Sequence, residues 1–429
     1  MAKLSLTSSK KTLLINTIML YIMQFSTTLL GLIVIPIQTN VLGADYYGTY
    51  IEASVAIVLY FRMVIDFGFL QSATEKISRK REDKKEVSNI LTSVVISKLF
   101  LIAASFGVLL LLIQLIPAWQ GKATMLILYF FAEACASMTP DFLYRGLEKM
   151  SAITYRTVAI RVVFALAIFV FFKDTADAWM VPGFTLIGNA VAMLVAYLHV
   201  KLKLGIGFVA PKIKQVVTEF TQSIQFFFSR FATTAYTSLN IILLDIITKG
   251  GPATSFYGSS NRLITAGRNA LMPISDSMYP YMAKHKDFKL VKKILLLFEP
   301  VIFVGCVVIY IIAIPFCKWF FGPEFGEAGH VLRAMLPLAI ITLPNYILGF
   351  PTMTAMGKTK HANYSTIVGS VFHICLLGVL WLTGNMTEGK ALLSLAWSVS
   401  ATETVILAYR LIVIYKFRHL MRGTENVDN

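Results

Sequence analysis

Apolar residues occur along this chain in twelve long runs that are separated by short polar or charged segments. Each run is close to the roughly 20 residues that an α-helix needs to cross the hydrocarbon core of a bilayer. The pattern therefore predicts about twelve transmembrane helices, at 13–36, 46–69, 90–116, 123–143, 151–172, 178–198, 223–248, 254–280, 294–316, 328–355, 362–383 and 391–415.

Composition supports a membrane protein. Of the 429 residues, 56% are hydrophobic and 14% are charged, whereas a soluble globular chain has roughly 25% charged residues. The first run is too long for a cleaved signal peptide and lacks a small-residue cleavage site, so we expect it to remain as a helix. The predicted fold class is an all-α polytopic membrane protein without a soluble domain.

The formal net charge is +16, and the positions of the Lys and Arg residues along the chain indicate its cause. Assigned loop by loop, about 27 of the 39 Lys and Arg residues fall on the same side of the membrane as the N-terminus. Since cytoplasmic loops are enriched in Lys and Arg, both termini are predicted to be cytoplasmic. Orientation and attraction to anionic lipid explain the basic loops better than nucleic-acid binding, so no nucleic-acid partner is expected.

The chain contains a weak internal repeat. Shifted by 210 positions, residues 45–50 (DYYGTY) align with residues 255–260 (SFYGSS), and Asp66 aligns with Asp276. Each half then has six predicted helices, and an even number returns the chain to its starting side, so both halves share one orientation. Such bundles commonly enclose a central cavity that opens alternately to each side, which favours transport. The predicted domains are an N-terminal six-helix bundle at 1–200, a cytoplasmic linker at 201–222 and a C-terminal six-helix bundle at 223–429.

Five segments, taken in chain order, carry a family resemblance. In this order they resemble the polysaccharide branch of the multidrug/oligosaccharidyl-lipid/polysaccharide export superfamily, which holds bacterial flippases for O-antigen and other polysaccharide repeat units. The segments are TNVLGADYYGTY (39–50), DFGF (66–69), DFLYRGLEKMSAITYR (141–156), FFGPEFGEAGHVLRAMLPL (320–338) and AMGKTKHANYS (355–365).

The resemblance implies a flippase. Its substrate would be an undecaprenyl-diphosphate-linked oligosaccharide, moved by alternating access from the cytoplasmic to the outer leaflet of a bacterial cytoplasmic (inner) membrane. The bilayer surrounds such a protein, and a polysaccharide polymerase and chain-length regulator are candidate partners. A multidrug or cation antiporter of the same superfamily is the nearer alternative, and a membrane-embedded polymerase or acyltransferase is the enzyme alternative.

A flippase of this kind needs a polar and preferably cationic path, because a diphosphate and sugar hydroxyls cannot enter hydrocarbon without a large desolvation cost. Charged residues within membrane spans usually face an internal cavity. The seventh and eighth predicted helices are rich in such residues, and the third and fifth each add one cation. The residues predicted to bind the substrate are Arg230, Asn240, Asn261, Arg262, Thr265, Arg268, Asn269, Lys98 and Arg161.

Two alternatives apply to these cations. Lys98 and Arg161 could instead extend to the inner membrane surface along their aliphatic stems. Arg262 and Arg268 could pair with a buried carboxylate such as Glu133 or Glu403. We favour an anion-binding cavity that is net cationic. In that case Arg268→Ala should abolish export while protein abundance stays near normal. The cavity of an antiporter would instead be dominated by carboxylates and aromatic residues.

A separate set of charges is predicted to form an inner gate. Arg62 and Asp66 are four residues apart, so they share one helix face. Asp66 and its repeat equivalent Asp276 would lie at the cytoplasmic mouth, where they pair with Arg62 or with loop cations. Gly68 follows Asp66 and fits a helix that must bend or stop there.

Sequence motifs for other chemistry are missing. The chain has no HExxH motif, no nucleotide-binding P-loop and no paired-cysteine spacing, and its outer loops are short. The four cysteines lie in or beside apolar runs, where small buried thiols are the ordinary case. We therefore predict that the chain is not an enzyme, and we expect no cofactor, metal site or catalytic residue.

Overall fold

A computed structural model of the chain describes residues 8–210 and 213–422. These residues form α-helices joined by short turns, and no β-strand occurs within them. The predicted all-α fold class is therefore confirmed.

Residues 8–210 form nine α-helices. Two π-helical turns, at Tyr47–Glu52 and Val200–Leu204, and one 3-10 turn at Thr175–Asp177 complete this part of the chain. The helices are α1 Ser8–Tyr46, α2 Ala53–Asp66, α3 Phe69–Arg79, α4 Lys84–Leu115, α5 Pro117–Gln120, α6 Ala123–Met138, α7 Asp141–Gly146, α8 Met150–Phe171 and α9 Met180–His199.

Residues 213–422 form eight further α-helices. A single 3-10 turn, Pro323–Phe325, precedes α13 in this part. The helices are α10 Ile213–Ile247, α11 Pro252–His285, α12 Phe288–Phe321, α13 Gly326–Leu348, α14 Phe350–Ala355, α15 Thr359–Leu382, α16 Ala391–Lys416 and α17 His419–Arg422.

Nine helical segments of the described residues are long and apolar enough to cross a membrane. One of them, Thr17–Arg79, has 63 residues, which is enough for two crossings of roughly 20 residues each. With 35 and 34 residues, α10 and α11 are also long enough, but their polar residues lower their hydropathy and they are not among the nine. Each predicted span thus overlaps one of these segments, α10 or α11, although the span 46–69 is divided among the end of α1, the turn Tyr47–Glu52, α2 and the start of α3.

The helices group into two compact units. The first contains Met1–Leu42 and Ala53–Phe231, and the second contains Gly43–Glu52 and Ala232–Asn429. Residues 201–222, which the sequence assigns to a linker, lie within the first unit, and α10 already begins at Ile213. The short segment Gly43–Glu52 groups with the second unit, although the sequence pattern places it in the N-terminal half.

In the first unit, α6 packs against α2, α4 and α9. Next to it, α3 and α7 approach each other so closely that a Cβ atom at Gly146 would lie 2.6 Å from the Ile77 side chain. Asp141 and Arg156 form an ion pair of 2.6 Å that joins α7 to α8. These contacts explain three residues of the segment DFLYRGLEKMSAITYR by packing.

In the second unit, α13 is the central helix and packs against α11, α12 and α16. Gly329 permits its contact with α12, because a Cβ atom there would lie 2.6 Å from the Ile314 Cα atom. The second unit also holds Gly43–Glu52 through its backbone. Glu324 accepts a hydrogen bond from the Ala44 N–H at 2.9 Å, next to the α1 kink at Gly43, where φ is +71°.

Candidate functional site

Five side chains of the first unit meet where α2, α4 and α6 pack together, and we call them the α2 cluster: Arg62, Asp66, Lys98, Glu133 and Ser137. Arg62 Nη1 lies 2.5 Å from Glu133 Oε2, and its Nε lies 3.7 Å from Asp66 Oδ2. Lys98 Nζ lies 3.3 Å from Asp66 Oδ1 and donates to the Ser137 carbonyl at 2.5 Å. The Ser137 hydroxyl also donates to Asp66 Oδ1. The cluster therefore contains two cations and two carboxylates.

Lys98 is the most enclosed charge of the α2 cluster. Its side chain is 5% exposed and that of Asp66 is 17% exposed, so Lys98 does not extend to the membrane surface. An isolated buried charge is very costly, which explains why Lys98 has a carboxylate and a carbonyl as partners. The cation that Asp66 contacts most closely therefore comes from α4, within a span, instead of from a loop.

The backbone beside Asp66 is unusual. Asp66 is the last residue of α2, and it is followed by Phe67 with φ +41° and Gly68 with φ +79°. A positive φ is strained for an aromatic residue, and such strain often accompanies a functional element. The predicted stop at Gly68 is present, and α3 begins directly after it.

In the second unit, Arg268, Asn345, Glu403 and Arg410 form what we call the α16 cluster. Arg268 Nη2 lies 2.8 Å from Glu403 Oε1. Asn345 Nδ2 donates to the other carboxylate oxygen at 2.8 Å, and Arg410 donates to the Asn345 carbonyl. Of the two carboxylates considered for Arg268, Glu403 is the partner, while Glu133 pairs with Arg62 in the first unit.

Arg262 also has a buried carboxylate partner, Glu52. Arg262 Nε lies 2.7 Å from Glu52 Oε1, and the Glu52 side chain is 3% exposed. Tyr47 donates to the same oxygen at 3.0 Å. Gly258 leaves room for this carboxylate, because a Cβ atom there would lie 2.6 Å from Glu52 Cδ. Glu52 and Arg262 are themselves related by the repeat, since 262 minus 52 is 210.

Asn240 belongs to a closed hydrogen-bond network. It is fully buried, its amide donates to Tyr257 at 3.0 Å and Ser398 at 3.2 Å, and its oxygen lies 3.0 Å from His373 Nε2. His373 Nδ1 in turn lies 2.8 Å from the Thr402 hydroxyl. These bonds join α10, α11, α15 and α16, so the Asn240 side chain serves helix packing here, and its role in substrate binding stays a prediction.

The remaining predicted residues are spread over three helices. On α11, Thr265 and Asp276 are exposed, and Asn261 and Asn269 are partly exposed. Arg161 on α8 is exposed. The side chain of Arg230 lies outside the described residues.

Three residues of these networks are not found by the sequence reasoning: Glu52, His373 and Arg410. Each lies inside a predicted apolar run, where ionisable residues are rare. That rarity is the general signal that could have marked them as candidate functional residues. Glu52 carried one further signal, which is its alignment with Arg262 in the repeat. Within residues 8–210 and 213–422, no three His, Cys, Asp or Glu side chains are grouped as metal ligands would be.

Comparisons with known proteins agree with this architecture. Residues 13–286 match the model of a family described as "Polysaccharide biosynthesis protein". An Escherichia coli strain K12 protein named "Putative O-antigen transporter" is 24% identical over 417 residues, which cover 94% of this chain and 98% of that protein.

Two solved structures share the fold. An inward-facing multidrug resistance transporter of the MATE family, within the MOP superfamily, has a TM-score of 0.66 at 11% identity and covers 95% of this chain and 96% of its own. The lipid II flippase MurJ, in an inward closed conformation, has a TM-score of 0.60 at 14% identity and covers 93% of this chain and 90% of its own. At these identities the likeness shows the fold alone.

Proposed function

This chain belongs to the polysaccharide biosynthesis protein family, and from that premise we propose that it flips a lipid-diphosphate-linked oligosaccharide across the bacterial cytoplasmic membrane. The chain is a multi-pass membrane protein and a transporter, not an enzyme. Its relatives named as O-antigen transporters support an O-antigen or similar repeat unit as the substrate. Movement would run from the cytoplasmic to the outer leaflet by alternating access, with both termini cytoplasmic.

The observation that carries the proposal is the Arg268–Glu403 pair in the membrane-spanning part of the second unit. A guanidinium can donate two parallel hydrogen bonds to a phosphate as well as to a carboxylate. Because Arg268 is 20% exposed while Glu403 is 5% exposed, the cation is the more accessible member of the pair. A passing diphosphate could therefore share Arg268 with Glu403 without leaving a buried charge uncompensated.

We assign the α2 cluster a gating role in the same cycle. Asp66 contacts two cations, Lys98 and Arg62, and lies at the end of α2 beside the strained Phe67. An ion pair at a helix end can exchange partners when the helix moves, so the cluster offers two alternative pairings. We propose that this exchange accompanies opening and closing on the cytoplasmic side.

The charges of the ion pairs do not distinguish a flippase from an antiporter, whereas the family match does. The sequence reasoning expected a net cationic cavity, but the structure pairs Arg62, Lys98, Arg262 and Arg268 with carboxylates. Local charge is therefore nearly balanced and does not by itself exclude a cationic substrate. The family match, which covers residues 13–286, is what favours a polysaccharide precursor.

Reconstitution tests the proposal directly. Purified protein in liposomes should move a fluorescent prenyl-diphosphate-linked oligosaccharide between leaflets, as measured by loss of access to an external glycosidase. A variant with both Arg268→Ala and Glu403→Gln is the matched inactive control. Wild-type protein that fails to move the lipid-linked sugar, yet protects cells from cationic dyes, would establish the antiporter function instead.

A further inference from the structure

A cleft in the first unit is lined by none of the residues of the α2 cluster. It has a volume of about 420 Å³ and is lined by the end of α3, the start of α4 and the start of α10. That size is within the roughly 300–1,000 Å³ of typical small-molecule sites. The adjoining segments are the basic ones that the sequence predicts to be cytoplasmic. This inference rests on the proposed function, which supplies the orientation.

The floor of the cleft contains polar atoms that lack partners. Glu219 is 6% exposed; its Oε1 lies 2.7 Å from Lys76 Nζ, but among the described residues its Oε2 has no hydrogen-bond partner. Ser93 is 1% exposed, and its hydroxyl likewise has no partner in the described part of the chain. Buried polar atoms are normally paired, so two unpaired ones lining the same cleft indicate a ligand that bonds to them. A carboxylate oxygen requires a donor, such as a hydroxyl or an amide N–H.

The rim of the cleft has the opposite character. Arg79 pairs with Glu75 at 2.6 Å and Lys80 with Glu86 at 2.8 Å, but their side chains are 75% and 56% exposed, so both cations stay accessible; Lys214 is exposed as well. Cations at the rim attract an anionic group, while the Glu219 carboxylate on the floor would repel one. The arrangement therefore suits a ligand with phosphate at one end and hydroxyl donors at the other. Both a glycosyl diphosphate and the phosphoglycerol head of an anionic lipid have this chemistry.

We propose that this cleft binds the head of the lipid-linked glycosyl diphosphate on the cytoplasmic side, before the substrate enters the transport path. The diphosphate lies against Arg79, Lys80 and Lys214 at the rim. The first sugar lies on the floor, where one hydroxyl donates to Glu219 Oε2 and another bonds with Ser93. A sugar ring offers several hydroxyls at fixed spacing, whereas a glycerol head offers two on a flexible chain, so two buried polar groups, Glu219 and Ser93, favour the sugar.

Binding to the purified full-length protein tests this inference independently of transport. The probes are a short-chain prenyl diphosphate and the same diphosphate carrying N-acetylglucosamine, glucose or galactose. Their affinities are measured by calorimetry with the protein in nanodiscs, with and without phosphatidylglycerol. We expect at least one sugar to raise the affinity by about tenfold, as one or two hydrogen bonds to a charged group allow. Glu219→Gln and Ser93→Ala should each remove most of that gain. Ser93→Ala should leave binding of the plain diphosphate unchanged, whereas Glu219→Gln should strengthen it, because the carboxylate that repels the anion is gone and Lys76 loses its partner.

Matched variants separate recognition from folding. Ser97→Ala removes a hydroxyl one helical turn away that donates to the Ser93 carbonyl, and it should not change the affinity for any probe. Glu219→Gln loses its ion pair with Lys76 and could therefore fail to fold. Ser93→Ala deletes only an unpaired hydroxyl and should fold normally, so it tests the inference in either case. Arg79→Ala should weaken binding of every probe several-fold.

Three results would overturn the inference. The first is equal affinity for the plain and the glycosylated diphosphates, and the second is unchanged binding of the glycosylated probes in Ser93→Ala and Glu219→Gln. The third is loss of the sugar-dependent gain in affinity when phosphatidylglycerol is present; that result would assign the cleft to lipid headgroups. In each case wild-type protein that still moves the lipid-linked sugar in liposomes leaves the proposed function standing. A wild type that binds the glycosylated probe but moves none would contradict the proposed function and not the cleft.

Discussion

Removing Arg268 should destabilise the protein unless its carboxylate partner is neutralised at the same time. Arg268 Nη2 lies 2.8 Å from Glu403 Oε1, and the two side chains are 20% and 5% exposed. Deleting one partner of a buried ion pair typically costs ~3–5 kcal/mol, because the other charge is left uncompensated. Asn345 still donates to Glu403, and Arg268 is partly exposed, so we expect Arg268→Ala to cost about 3 kcal/mol, the lower end of that range.

The double variant Arg268→Ala with Glu403→Gln should recover most of this loss. It removes both charges of the pair, and a glutamine oxygen can still accept the hydrogen bond from Asn345. Replacing both members of a buried pair is often close to neutral, so we expect unfolding free energy within about 1 kcal/mol of wild type. The single variant Arg268→Ala should be the least abundant of the three proteins in the membrane.

Export distinguishes the structural role of Arg268 from its functional role. The assay is surface polysaccharide in a strain that lacks its own flippase, measured beside membrane abundance and the thermal unfolding of each purified variant. We expect the double variant to be folded but inactive, because it has lost the guanidinium that meets the diphosphate, and Arg268→Lys to keep part of the activity. Full export by the double variant would remove Arg268 from the path.

A second outcome would refute the energetic reasoning itself. If Arg268→Ala unfolds at the same temperature as wild type, Glu403 is not left uncompensated and the ion pair contributes little. That outcome would agree with the expectation from sequence alone, which was near-normal abundance for Arg268→Ala. The structure changes this expectation because it shows the carboxylate partner.

Three further predictions concern other parts of the chain. Gly258→Ala should reduce stability by about 1–3 kcal/mol in a thermal unfolding assay, because its Cβ atom would meet the buried carboxylate of Glu52; Gly267→Ala, on the same helix with open space around it, is the control and should cost nothing. Lys98→Met should lower membrane abundance because Asp66 loses its buried cation, and adding Asp66→Asn should restore abundance but not export. A fusion after residue 86 should be active with a reporter that works only in the cytoplasm. Activity with a reporter that works only in the periplasm would overturn the predicted orientation.

The fold was predictable because one strong signal determines it. Each long apolar run has to span hydrocarbon as a helix, since no water is present there to satisfy the backbone. The end of the linker at 222 was harder to predict, because a helix can continue from a polar loop into the membrane without any change in backbone pattern, and α10 begins at Ile213 while its apolar run begins near 223. The number of spans follows from the number of apolar runs, whereas the ends of the helices do not follow from hydropathy.

The candidate site was only partly predictable. The sequence shows which charges are costly within a span, so Arg62, Asp66, Lys98, Arg262 and Arg268 could all be selected. It does not show which of them meet, since pairing depends on helix rotation and packing that hydropathy does not encode. Glu133 illustrates this, because it was a reasonable partner for Arg268 by type and lies in a different unit, 2.5 Å from Arg62. The sequence identifies a cation within a span but not the carboxylate that it meets. The interpretation of that cation as a ligand-binding group was therefore made without knowing its partner.

The repeat contained one pairing that could have been found without a structure. The predicted repeat aligns two positions that carry opposite charges, and opposite charges can pair. Glu52 and Arg262 are such a pair, and they lie 2.7 Å apart. Two neighbouring alignments, Tyr47 with Tyr257 and Gly48 with Gly258, kept their residue type, and Tyr47 and Gly258 both contact the Glu52 carboxylate. In this chain, aligned positions of opposite charge with unchanged residues close by thus coincide with a contact between the two aligned segments.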